Sequence, residues 1–172
     1  MKRLFLLRHA KAQPADGATE DFDRTLMLSG MQDASALARH LRKNSLAVQL
    51  ILCSASARTT QTAELLLHEL VAEIEYRDNL YLADAGKIIA AVRGAPASAA
   101  SLMIVGHNPG MEICATQLAR EPVRRKERTR YEALEEKFPT SALAILDFDV
   151  GRWRDVELGT GKLVDFVRPR DL

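Results

Sequence analysis

The sequence predicts a three-layer α/β/α sandwich built on a mostly parallel central sheet. Three observations carry this. Short apolar runs at Leu4–Leu7, Val48–Cys53 and Ser101–Val105 suit strands covered on both faces; segments of helical periodicity lie between them; and strand-like segments alone close the chain after residue 140. At 172 residues, 47% apolar and 27% charged, the chain can bury a full core without staples. Residues 1–172 are therefore read as one domain, without repeat or linker.

Leu4 to Leu7 forms the first strand. Ser29-Gly30-Met31-Gln32 offers a capping box for a helix over 29–43, whose inner face is Met31, Ala34, Leu37, Ala38 and Leu41. After the second strand, Val48 to Cys53, Ser56 precedes a helix marked by Ala63, Leu66, Leu67 and Leu70. Ile74 to Tyr76 is a short third strand. Asp84 then caps a helix that faces inward through Ile88, Ile89 and Val92, and Gly94 to Ala100 closes it. Ser101 to Val105 is the fourth strand, and Gly106-His107-Asn108-Pro109 turns into a helix with Asn108 as cap and Pro109 at its first position. Residues 121–137, dense in both charges, read as a solvent-exposed excursion. Ala142–Val150 is a strand, and Trp153–Glu157 with Lys162–Val167 supply closing edge segments.

Composition excludes several classes of function. Twenty-four basic residues balance 23 acidic ones, a net charge of +1, so no global field recruits nucleic acid or an anionic membrane. Cys53 and Cys114 are too few for a disulfide framework and lack zinc-site spacing. Arg8, His9 and Lys11 interrupt the N-terminal apolar stretch before a signal sequence can develop, and no run reaches the roughly 18 apolar residues of a membrane span. A soluble cytoplasmic protein is expected.

Ligands of open α/β sheets collect beyond the carboxyl ends of the strands. Three such ends are unusual here. The first strand ends in Arg8-His9; the second runs into Ser54-Ala55-Ser56-Ala57-Arg58; the fourth ends in Gly106-His107. One histidine at a strand end is most often structural, and one arginine is most often a surface charge, but three coinciding ends bring two of each to one rim. Guanidinium forks at Arg8 and Arg58 suit phosphoryl oxygens. A neutral imidazole at His9 is a competent nucleophile, with His107 as a further donor. His40 and His68, within helices and without such context, are structural.

In order along the chain, Leu7-Arg8-His9-Ala10, Asp23-Arg24-x-Leu26-x-x-Ser29-Gly30, Ser54-x-x-x-Arg58-x-x-Gln61-Thr62 and Val105-Gly106-His107-Asn108-Pro109 resemble the histidine phosphatase, phosphoglycerate-mutase-like superfamily, most closely its short SixA-like phosphohistidine phosphatase branch. The resemblance implies that His9 is phosphorylated in turnover and that Arg8, Arg58 and His107 form the phosphate pocket, with no metal and no cofactor. It makes Arg24 a further phosphate contact and sets Asn108 and Tyr81 on the substrate side. Ala55 and Thr59 depart mildly from the family's proline and alanine. More telling is Tyr81, where many members carry an acidic general acid. Asp84 is the remaining candidate acid, unless capping occupies it. A phosphoramidate releases imidazole, a better leaving group than an alkoxide, so the missing acid favours phosphohistidine, carried by a phosphorelay or phosphotransfer protein, over a small phosphorylated metabolite.

Other readings are weaker. Cys114 and Arg120 have Cys-x5-Arg spacing, but Cys114 shares a helical face with Met111, Ala115 and Leu118, and no glycine loop lies between the pair. Cys53 stands one residue too close to Arg58 for that motif. Gly159-Thr160-Gly161-Lys162 lacks the rest of a nucleotide loop and reads as a hairpin turn. A broad small-molecule phosphomonoesterase and a non-catalytic protein that binds phosphorylated partners are the two alternatives.

Overall fold

Leu4, Phe5, Leu6 and Leu7 are all fully buried, and a run apolar on both faces belongs at the centre of a covered sheet. The computed structural model, which describes residues 1–172, places strand β1 (Lys2–Arg8) there. It lies parallel to β4 (Ser101–Gly106) and antiparallel to β5 (Leu143–Phe148). With β2 (Leu50–Ser54), β3 (Glu73–Arg77) and β6 (Lys162–Val167), the six strands run in the order β3-β2-β4-β1-β5-β6. All neighbouring pairs up to β1 are parallel, and β5 pairs antiparallel with both its neighbours.

The two-residue alternation of a strand divides the core in two. Phe5 and Leu7 point to the side of α1 (Leu28–Lys43) and α2 (Ala57–Leu66), meeting Leu37, Leu41, Ala63 and Leu66. Leu4 and Leu6 point to the opposite layer, where α3 (Ala85–Arg93), α4 (Gly110–Leu118) and α5 (Arg125–Glu136) supply Ile88, Met111, Leu118 and Leu134. The predicted three layers and mostly parallel sheet are those observed. No helix is long and apolar enough to cross a membrane.

Several local expectations are corrected. Helix α1 begins at Leu28, with Met27 as N-cap and no side-chain cap, so the Ser29 capping box does not form. The Lys11 carbonyl takes the Met27 N–H at 2.9 Å instead. This works because Gly30 passes so close that a Cβ would stand 2.2 Å from the Lys11 oxygen, an approach only glycine permits. Gly30 replaces Met31, which is 37% exposed, on the buried face. Helix α4 begins at Gly110, one residue later than expected, although Asn108 Oδ1 still accepts the Glu112 N–H at 3.2 Å. Asp84 caps α3 as expected, accepting from Lys87 N at 2.9 Å.

Residues 153–155 form a 3-10 turn rather than an edge strand, with Trp153 fully buried and its indole N–H donated to Ala99 O at 2.8 Å. Residues 121–137, expected as a charged, solvent-exposed excursion, include a docked helix. Helix α5 is largely solvated, yet Leu134 is fully buried, Tyr131 packs against the core, and buried Glu127 accepts from Arg120 at 3.1 Å and from Val123 N at 3.1 Å. One apolar stripe suffices to dock a helix that is otherwise charged.

The registers bring three strand ends level. Arg8 pairs with Gly106, and Cys53 with Val105, so the residues following β1, β4 and β2 emerge side by side on one rim.

Candidate active site

On that rim lies an open cleft of about 400 Å³ lined by Arg8, His9, Arg24, Arg58, His107 and Asn108, together with Lys11, Ala12, Asp21, Leu82 and Thr140. A larger depression, about 490 Å³, sits at the opposite, amino ends of the strands, but Glu73 is its only charged lining residue. The convergent chemistry is on the carboxyl side.

His9 is held by two bonds of its own backbone and one of its neighbour Ala10. Its N–H donates to Gly106 O at 3.0 Å, its carbonyl accepts from Ser141 N at 3.0 Å, and Ala10 N donates to Thr62 Oγ1 at 3.0 Å. Thr62 in turn donates to Arg58 O at 2.7 Å, which ties the His9 segment to the first turn of α2. The imidazole is 8% exposed, with Nδ1 2.7 Å from Ala10 O. A carbonyl only accepts, so Nδ1 carries the proton and Nε2 keeps its lone pair. Burial, and secondarily the charges of Arg58, Arg8 and Arg24, push the His9 pKa down to about 4, against the opposing pull of the Ala10 carbonyl.

His107 is almost fully buried, its ring centroid 5.3 Å from that of His9. Arg58 Nη2 stands 3.3 Å from its Nδ1, and Ser54 Oγ stands 2.8 Å from its Nε2. As Nδ1 accepts from the guanidinium, Nε2 donates to Ser54. Both ring nitrogens of His107 are thus engaged within the protein. Burial first, then His9 and Arg58, lower its pKa to about 3.

Arg58 is 2% exposed. Its Nη1 donates to Asp21 O at 2.7 Å and its Nη2 to Asp21 Oδ2 at 3.1 Å, while its Nε has no protein partner. Arg8 donates through Nη1 to Phe138 O at 3.1 Å, and its Nε also lacks a partner. Two buried N–H groups of this kind are costly unless a ligand accepts from them. Desolvation lowers the Arg8 pKa, partly offset by Glu112.

The other expected residues are placed differently. Arg24 lines the cleft but its donors go to Asp21 and Gln13. Asn108 donates to Phe138 O at 2.9 Å and caps α4, so its amide braces the cleft wall. Tyr81 stands behind the lining. Its hydroxyl donates to Asp21 Oδ2, and its ring meets those of His107 and Phe22 edge-on at 5.5 and 5.0 Å. Asp84 is occupied as the α3 cap.

Asp21 was not foreseen. The Asp-x-x-Arg spacing to Arg24 was the available signal, but Glu20 and Asp23 are equally near in sequence, and only the folded loop shows which carboxylate turns inward. The Tyr81 hydroxyl, then Arg24 and Arg58, hold its carboxyl well below the usual carboxylate range. Lys11, Ala12, Leu82 and Thr140 complete the unforeseen lining.

The neutral histidines make acid stability a sharp test. Both folded pKa values lie below the ordinary 6.5, so below about pH 6.5 the unfolded chain binds protons that the folded one refuses. Stability is unaffected by these two rings above about pH 7 and falls with pH from about 6.5, by up to ~1.4 kcal/mol per pH unit for each ring. Urea unfolding at about pH 7 and about pH 5 should show this loss, and His107→Gln should flatten the slope; equal slopes would exclude the buried neutral ring.

The histidine phosphatase superfamily (branch 1) model matches residues 4–89. An uncharacterized protein of Mycobacterium tuberculosis is 36% identical over 165 residues, covering 95% of this chain and 100% of its own length. Among solved structures, a candidate phosphohistidine phosphatase SixA from Nakamurella multipartitia superposes with a TM-score of 0.84 at 30% identity, covering 98% of this chain and 96% of its own. Its counterpart from Agrobacterium tumefaciens gives 0.81 at 32%, covering 98% of both. The chain belongs to the histidine phosphatase superfamily.

Proposed function

We propose that the protein is a phosphohistidine phosphatase that removes the phosphoryl group from a histidine of a partner protein through a phosphoenzyme on His9. The observation that carries this reading is the His9 tautomer: with Nδ1–H donated to Ala10 O, the Nε2 lone pair is free in a cleft lined by Arg8, Arg24 and Arg58. Nε2 attacks phosphorus as the substrate's P–N bond breaks, and the departing imidazole takes its proton from solvent. Water then attacks in line, the P–Nε2 bond breaks, and inorganic phosphate leaves with His9 neutral again. Arg8 and Arg58 offset the equatorial charge throughout.

The choice of phosphohistidine over an ester rests on the absence of a usable acid. Asp21 is the only carboxylate in the cleft wall, and the three donors around it keep it ionised. An alkoxide would therefore leave unprotonated, whereas imidazole is a much better leaving group. The likeness to two candidate phosphohistidine phosphatases supports the same choice. Both cysteines are free and buried, in keeping with a reducing cytoplasm, and the partner we propose is a signalling protein such as a phosphotransfer domain.

Phosphate release from a histidine-phosphorylated phosphotransfer protein, measured beside an alkyl phosphomonoester such as glycerol phosphate, whose alkoxide needs an acid to leave, tests the reading. We expect kcat/KM for the protein substrate to exceed that for the ester by at least about 100-fold. Efficient ester hydrolysis with no action on phosphohistidine would establish the small-molecule phosphomonoesterase instead. Binding of the phosphorylated protein without turnover would establish a binding module.

A further inference from the structure

Asp21 is a carboxylate in the wall of an anion site, and it is the most connected side chain there. Its Oδ1 accepts from Arg24 Nε at 3.1 Å and Nη2 at 2.8 Å; its Oδ2 accepts from Arg58 Nη2 at 3.1 Å and from the Tyr81 hydroxyl. The two arginines are not engaged alike. Arg58 keeps its Nε without a protein partner, so it can meet a phosphoryl oxygen without leaving Asp21. Arg24 has no unpartnered nitrogen, since Nε and Nη2 donate to Asp21 and Nη1 to Gln13 O at 2.6 Å, which leaves only the second hydrogens of Nη1 and Nη2. The Nε/Nη2 fork that Asp21 occupies is one that a phosphoryl group would use.

We propose that Asp21 is a resident anion of the phosphoryl pocket, a positioning carboxylate that holds Arg24 and Arg58 ready and yields Arg24 to the incoming phosphoryl group. This rests on reading the cleft as a phosphoryl site. The side-chain exposures suit an exchange: Asp21 is 47% exposed and Arg24 21%, against 3% for Arg58. Water solvates the Asp21 carboxylate once Arg24 turns away, while Tyr81 and Arg58 keep it in place. After hydrolysis the same carboxylate draws Arg24 back and opposes the dianionic product, so inorganic phosphate is held loosely. Pure scaffolding would act in the other direction, since loosening the pocket arginines weakens anion binding.

Calorimetric binding of inorganic phosphate to the wild type, Asp21→Asn, Arg24→Ala and the double variant separates these cases. Asp21→Asn should bind phosphate about tenfold more tightly, with a lower kcat and a lower KM as product release becomes limiting. In the Arg24→Ala background the tightening should be clearly smaller. Weaker or unchanged binding by Asp21→Asn overturns the proposal, and an equal tightening in both backgrounds reduces Asp21 to simple charge repulsion and overturns the exchange of Arg24. A wild type that binds no phosphate removes the phosphoryl reading of the cleft itself. Should Asp21→Asn fail to fold, the Arg24 Nε–H resonance of the wild type decides: it should shift on saturation with phosphate, and its constancy while His9 responds would sink the exchange.

Discussion

His9→Ala should form no phosphoenzyme and lose on the order of 10⁴-fold or more in kcat with phosphohistidine protein, while its KM changes little. The size follows from what the ring supplies. Removing a nucleophile from a covalent mechanism leaves only the catalysis that binding and electrostatic contacts provide. Those contacts survive here, because Arg58 and Arg8 are held by Asp21 and Phe138 rather than by His9. Substrate should accordingly still bind. His9→Asn is the more instructive variant, since its side-chain amide can still donate to Ala10 O and fill part of the ring's volume, yet it has no basic nitrogen. Rapid-quench detection of phosphoryl label on the protein, beside steady-state kcat and KM, measures both effects. Turnover by either variant within about tenfold of the wild type would remove His9 from the chemistry.

The chemistry at the rim was legible because it interrupts local rules. Arg8 and His9 follow the apolar run Leu4–Leu7 of β1, and neither packing nor strand propensity accounts for them there. The sheet was legible for the complementary reason, since Leu4–Leu7, Ile51–Cys53 and Leu102–Val105 are buried on both faces and their burial needs covering layers on both sides. Asp21 was not legible. It depends on a long loop whose return to α1 is set by the approach of Gly30 to Lys11, and a charge-rich stretch of Glu20, Asp21 and Asp23 carries no local mark of which side chain turns inward. Helix α5 was legible as a charged, largely solvated segment but not in where it docks. Its charges dominate the composition, while Tyr131, Leu134 and Phe138, at spacings of three and four, fix where it packs. Trp153 reads as an edge-strand aromatic until the fold supplies Ala99 O as the acceptor for its indole.

Arg58 should show the largest effect after His9, and in a way that charge alone does not explain. Arg58→Ala is expected to lower kcat/KM about 10³-fold, the scale of losing a preorganised donor set aimed at developing phosphoryl charge. Arg58→Lys should recover no more than about tenfold of that. An ammonium restores the charge but offers one nitrogen where the guanidinium offers three. Asp21 O sits on Nη1 of the present fork, Asp21 Oδ2 and His107 Nδ1 both on Nη2, and Nε is left without a protein partner. A single ammonium cannot satisfy Asp21 and still present an oriented N–H to phosphorus-bound oxygen. Arg58→Ala also removes one of the positive charges that, after burial, lower the His107 pKa, and this pKa should therefore rise in Arg58→Ala and stay near the wild-type value in Arg58→Lys. Steady-state kinetics and imidazole titration by NMR read the two consequences separately. A lysine variant with wild-type kcat/KM would show that Arg58 acts as a point charge, and the Asp21-braced fork would then have no kinetic role.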